Sequence, residues 1–256
     1  MSRFQYLLAS SLLCLTCATG MADDSPIIET ITIKDVKLSY IVAGMGEPVV
    51  LIHGLHANSD LNWRVPGVFG ALAKDHRVIA PDMPGHGRSD KPEGDEAYGV
   101  QMVEDVIQIM DQLKIEKAHI VGYSMGGMIG MKLVVTHPDR VRSVTMGGMG
   151  WLREGQRKQK AIDNMPARDG GRTPAACPRS FNKLSVTEDE IKAVKVPVTV
   201  IVGDRDPVKT TYLEPLRSVR KDWPIVEIAD AGHINCVLKT HFRDEIVKWI
   251  EKNKGK

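Results

Sequence analysis

Five short apolar runs punctuate the chain: "PVVLIHG" (48–54), "RVIAPD" (77–82), "KAHIVGYS" (117–124), "VRSVTMGG" (141–148) and "VPVTVIVGD" (196–204). They are mostly β-branched and largely non-alternating. A strand with one buried face alternates apolar and polar residues, whereas a strand covered on both faces does not. These runs therefore predict parallel strands with helices on either side. The intervening segments agree. "YGVQMVEDVIQIMDQLKI" sets Val100, Val103, Val106, Ile107, Met110 and Leu113 three and four residues apart, one apolar helical stripe. A second helix is expected in "SMGGMIGMKLVVTHPDR", ending near Pro138. A third is expected in "HFRDEIVKWIEKN", with Phe242, Ile246, Val247, Trp249 and Ile250 inward. This alternation predicts an α/β fold, a doubly wound, mostly parallel sheet with helices on both faces. Right-handed crossovers then align the C-terminal strand ends along one edge, where ligands bind. Upstream, "IETITIKDVKLSYIVAG" reads as two short strands joined at Lys34–Lys37.

At 256 residues the chain suits one large domain carrying an insertion. Its formal net charge of +2, without a basic run, argues against nucleic acid as a partner. The first residues, "MSRFQYLLASSLLCLTCATGMADD", have the layout of a secretory leader: Arg3, an apolar run from Tyr6 to Leu15, then small residues. Cleavage after Gly20 or Ala22 fits, and the run is well short of the roughly 20 apolar residues of a spanning helix. A lipid anchor at Cys17 is a weaker alternative, because Thr16 is a poor neighbour for it. The expected organisation is a leader over 1–22, a core over 23–150, a short cap insertion over 151–195 and the rest of the core over 196–256. The leader implies an exported protein, periplasmic or secreted. Export leaves Cys177 and Cys236, which either form a disulfide or stay as two apolar-flanked thiols. No spacing suggests a metal site. Between Arg153 and Lys183 the insertion carries eight Lys/Arg against three acids. Such an excess either attracts anionic substrates or simply solvates a lid.

The small polar motifs all follow expected strands. "HGLH" (53–56) follows "VVLI", Ser124 follows "IVGY", "GDRD" (203–206) follows "VTVIV" and "GH" (232–233) follows "PIVEIAD". A parallel sheet gathers these loops on one side. Acyl transfer needs such a gathering: an alcohol, an imidazole to take its proton, and a carboxylate to fix the imidazole tautomer. Main-chain N–H groups facing the developing oxyanion complete the set.

The chain offers these groups in the order Ser, Asp, His, and here it resembles the α/β-hydrolase family, serine esterases and lipases among them. The resemblance runs from about Ile27 to Trp249 and rests on "HGLH", "DMPGHGRSD" (82–90), "GYSMGG" (122–127), "GDRDPV" (203–208) and "AGH" (231–233). It implies Ser124 as nucleophile and His233 as base. Of the two histidines after the acid loop, His241 falls on a helix face that suits solvent. Asp204 and Asp206 both lie in that loop; the family's spacing from the strand-ending glycine favours Asp206, and Pro207 biases Asp206 toward extended backbone. The resemblance also implies the amides of Leu55 and Met125 as oxyanion donors. His56, Trp63 and Trp151 are candidate pocket-lining residues, although a packed core is the commoner fate of tryptophan. His53, His86 and Arg88 read as structural.

The implied activity is hydrolysis of a small-molecule carboxylic ester without metal or organic cofactor. Serine at the nucleophile position argues against the dehalogenases and epoxide hydrolases of the family, which use aspartate there. Lactonases, C–C bond hydrolases and cofactor-free haloperoxidases or perhydrolases keep serine and stay open. So does a ligand receptor of slow turnover on the same fold.

Overall fold

The computed structural model describes residues 26–156 and 173–255. The expected leader and the centre of the expected cap, including Arg157, Lys158, Lys160, Arg168 and Arg172, lie outside the described residues. Among the described residues eight strands, numbered in chain order, form one sheet in the order β1-β2-β4-β3-β5-β6-β7-β8. β1 (Ile27–Ile33) and β2 (Val36–Ala43) make an antiparallel hairpin. Its tight turn is Lys34–Asp35, both left-handed at φ 46° and 68°, as a two-residue hairpin loop requires. β2 runs antiparallel to β4 (His76–Pro81). From there the sheet is parallel, through β3 (Glu47–Ile52), β5 (Ala118–Tyr123), β6 (Val141–Gly147), β7 (Val198–Gly203) and β8 (Ile225–Ile228).

The non-alternating runs have a direct cause. In β3, Val49 and Leu51 enter one apolar cluster while Val50 and Ile52 enter the other, and in β5 Val121 and Ile120 divide the same way. Successive side chains point to opposite faces, and here both faces are covered. One face carries α2 (Val100–Gln112) and α3 (Met125–Thr136). The other carries α1 (Val68–Leu72) and a C-terminal helix (Thr240–Lys252). Among the described residues between β6 and β7 lie two short α-helices, α4 (Ala176–Arg179) and α5 (Glu188–Ala193). Thr187 and Glu190 close a reciprocal capping box at the start of α5. α6 (Glu214–Val219) precedes β8, so the C-terminal helix is α7.

Two expectations about helix faces need correction. Val100, the first residue of α2, is exposed, while Met102, Asp105 and Ile109 join the buried face. On α7 the anchors are Phe242, Ile246 and Ile250, each worth about 1.5–3 kcal/mol of burial. Val247 and Trp249 are only half-buried because they flank that stripe. Among the described residues no helix is long and apolar enough to cross a membrane. Cys177 and Cys236 are both free and buried, which resolves the open alternative against a disulfide.

Candidate active site

Ser124 sits between the last residue of β5 and the first of α3, at φ 51° and ψ −108°. A non-glycine residue there is strained, and its neighbours make the turn feasible. A Cβ on Gly122 would lie 2.0 Å from the Gly126 carbonyl oxygen, and one on Gly126 would lie 2.0 Å from that of Ile52. Only glycine permits this approach of β5, α3 and β3. The turn is pinned by the Ser124 N–H, which donates to the Gly147 carbonyl at 2.8 Å. Its tight geometry turns the hydroxyl toward the loops that follow β7 and β8.

His233 arrives from the loop after β8. Its Nε2 lies 2.9 Å from Ser124 Oγ and its Nδ1 lies 2.9 Å from Asp206 Oδ2. A carboxylate only accepts, so Nδ1 carries the proton and Nε2 presents its lone pair to the serine O–H. The Asp206 side chain is fully buried and the His233 ring is partly open to solvent. The second Asp206 oxygen accepts the Val208 N–H at 3.0 Å. Asp204 serves a different purpose. Its carboxylate accepts the Ala231 and Asp230 N–H groups at 3.0 and 3.1 Å, tying the loop after β7 to the loop after β8. These main-chain bonds, led by Ala231, hold its carboxyl below the usual range. The structure thus brings Asp206 to the imidazole and gives Asp204 the tie.

Leu55 and Met125 are placed with their main-chain N–H groups at the same edge. Among the described residues neither N–H meets an acceptor of the protein, as the first turn of a helix dictates for Met125. The Leu55 loop is held from behind, since the Gly54 N–H donates to Asn62 Oδ1 at 2.7 Å. Next to Leu55, His56 occupies the left-handed region at φ 62°. A cavity of about 430 Å³ opens over these groups, lined by Leu55, His56, Asn62, Tyr123, Ser124, His233 and Ile234 among others. A second cavity of about 530 Å³ shares His56 and Ala57 with it and runs toward Arg88, Lys91 and Thr173.

Of the candidate lining residues, His56 is at the cavity and the two tryptophans are not. Trp63 is fully buried and packs with Phe69, Leu72 and Phe242 on the α1 and α7 face. Trp151 is buried in the other cluster and its Nε1–H donates to the Val186 carbonyl at 2.8 Å. Both follow the bulkiest side chain's ordinary preference for a packed interior. The "DMPGHGRSD" stretch is structural. The buried Asp82 carboxylate accepts the Ser59 and Arg88 N–H groups at 2.8 and 2.9 Å, and His86 Nδ1 donates to the Pro84 carbonyl at 2.9 Å. His241 is exposed and faces Glu245 one turn on. Asn62 and Ile234 carry no motif, and Tyr123, although it lies within "GYSMGG", was not singled out by the sequence pattern.

The family model for the alpha/beta hydrolase fold matches residues 47–188, just over half of the chain, and the protein belongs to that family. Among curated relatives, the 2-hydroxymuconate semialdehyde hydrolase of Pseudomonas sp. strain CF600 is 43% identical over 112 residues. That match covers 42% of this chain and 38% of the relative, so the chain spans about two fifths of that relative's length. Among solved structures, a bacterial membrane phospholipase A superposes with a TM-score of 0.73 at 21% identity, covering 90% of this chain and 87% of the other. The meta-cleavage product hydrolase of Pseudomonas fluorescens IP01 gives 0.68 at 24%, covering 88% and 97%. These structural likenesses show the fold.

Proposed function

We propose that the protein is a serine hydrolase that cleaves carboxylic esters through an acyl-enzyme on Ser124. The observation that carries the reading is the continuous line from Ser124 Oγ through His233 to Asp206, 2.9 Å at each link. As Oγ attacks the ester carbonyl, Nε2 of His233 takes its proton, and Asp206 stabilises the imidazolium that forms. The Leu55 and Met125 N–H groups receive the oxyanion, a contribution of about 3 kcal/mol per donor. Collapse breaks the C–O bond, and the imidazolium returns its proton to the departing alcohol. Water, deprotonated by the same imidazole, then attacks the acyl-enzyme and releases the acid and Ser124. Export through the 1–22 leader and the cap role of residues 151–195 belong to the same proposal.

A second reading is cleavage of a C–C bond on the same three residues. The 43% identical relative named for 2-hydroxymuconate semialdehyde favours it. A panel of p-nitrophenyl esters, run with the wild type and Ser124→Ala, tests the ester reading. Release of p-nitrophenol that disappears in the variant supports the esterase. Equal background in both proteins overturns it.

A further inference from the structure

Tyr123 directly precedes the serine, and its hydroxyl reaches across to a loop 110 residues away in sequence. It donates to the main-chain carbonyl of His233 at 2.5 Å. Its ring lies beside the His233 imidazole, centroids 5.6 Å apart and planes tilted by 37°. On its far side the ring meets Phe242 edge-on at 5.6 Å.

The slot that holds this ring is built at the end of β6. A Cβ on Gly147 would lie 2.7 Å from Tyr123 Cδ2, and one on Gly148 would lie 2.9 Å from Cζ and 3.0 Å from the hydroxyl. Two consecutive glycines therefore leave room for one aromatic side chain and for nothing more. An ordinary buried tyrosine needs only some acceptor for its O–H. This one is clamped on two sides and spends its hydroxyl on the peptide of the histidine itself.

We propose that Tyr123 is a positioning residue for His233: it fixes both the peptide and the ring plane of the imidazole, so that Nε2 stays on Ser124 while Nδ1 stays on Asp206. This rests on the reading of His233 as general base. Other main-chain attachments of the loop after β8 run from Asp230 and Ala231 to Asp204, from the Ala231 carbonyl to the Arg205 N–H, and from Gly232 to Asn235 and Cys236, and none of them bonds the His233 peptide carbonyl. Without the tyrosine hydroxyl, the His233 carbonyl loses this partner, and the ring can shift off the line while the fold remains intact.

Tyr123→Phe tests this, because it keeps the ring and deletes only the hydroxyl. The expected result is a fall in kcat of about ten-fold with KM within about two-fold, as misplacement of a reacting group dictates. A double-mutant cycle with His233→Ala separates positioning from general damage. If Tyr123 acts through His233, Tyr123→Phe has no further effect once the imidazole is gone; an undiminished ten-fold fall in that background overturns the proposal. Proton NMR gives a readout independent of turnover. The low-field Nδ1–H signal of His233, expected to be sharp in the wild type, should broaden in Tyr123→Phe, and an unchanged signal with wild-type kcat also overturns the proposal. Equal ester background in wild type and Ser124→Ala would instead remove the hydrolase reading, and the NMR comparison alone would then decide the tether.

Discussion

His53 and His233 stand on the same edge of the sheet, at the ends of β3 and β8, each beside a buried aspartate. Their hydrogen bonds differ in kind. The Nδ1–H of His53 donates to the Gly54 carbonyl at 2.8 Å, and its Nε2 accepts the Met83 N–H at 2.9 Å. Both partners are main chain, neither can exchange a proton, and the ring is wholly buried. Burial also keeps its pKa below the usual imidazole range. A proton on Nε2 would set two donors against each other. His233 instead has a hydroxyl on one nitrogen and a carboxylate on the other, with an edge open to the cavity. Two imidazoles with the same intrinsic chemistry thus part ways: His53 is fixed between two main-chain groups, while His233 has the hydroxyl and carboxylate partners that the proposed proton transfer requires.

The comparison breaks most readily at its reactive end. Ser124→Ala should lower kcat/KM for a p-nitrophenyl ester by at least about 10⁴-fold, read by p-nitrophenol release, while far-UV circular dichroism stays unchanged. Asp206→Asn comes next. An amide can donate to Nδ1 and select the wrong tautomer, so a loss of about 10³–10⁴-fold in kcat is expected. A loss below ten-fold would mean that another group orients the imidazole.

At the structural end the effect moves from rate to stability. His53→Asn should cost about 2 kcal/mol in urea unfolding, by leaving the Met83 N–H without its buried partner. Its pH dependence follows from the lowered folded-state pKa. Below the unfolded value of about 6.5, the unfolded chain binds a proton that the folded chain refuses. Stability is therefore full above that pH and is lost as pH falls toward the folded value. His119 is buried too, and that burial lowers its pKa in the same direction, opposed in part by Glu47. His53→Asn should make the acid side of the wild-type stability profile shallower without abolishing it, measured by urea midpoints from pH 8 to 5. The smallest effect is expected at Asp204. Asp204→Asn keeps an oxygen for Ala231 or Asp230, and kcat should stay within about three-fold of wild type. A loss approaching that of Asp206→Asn would mean that the two carboxylates share one role.

The sheet was legible because burial on both faces forces runs of β-branched residues, as in β7. The gathering of Ser124, Asp206 and His233 was legible for a related reason: once the strands are parallel, residues just past their ends converge. Other features had no local signature. α1 and α6 are too short to display a helical period. Asp105 breaks the polar code of α2 outright, since it is buried and its pKa is pushed up to about 6 by burial. The fates of Trp63 and Trp151 depended on which face their short turns met, and no spacing encodes that. Tyr123 looked like the last apolar residue of a strand, and only the fold brings its hydroxyl to His233.

The connection between β6 and β7 leaves and rejoins the sheet at adjacent parallel strands, Val144 pairing with Val198 and Gly147 with Ile201. Ser124, Asp206, His233 and Leu55 all lie outside it. That arrangement makes the connection a natural cassette for chimeras: a graft spanning it leaves Ser124, Asp206, His233 and the lining of the cavity over them on the host, and alters only the Thr173 side of the neighbouring cavity. Among its described residues, one point of constraint is Cys177, whose sulfur packs 3.9 Å from that of Met125. A transplanted segment must supply a small side chain there to leave the start of α3 undisturbed.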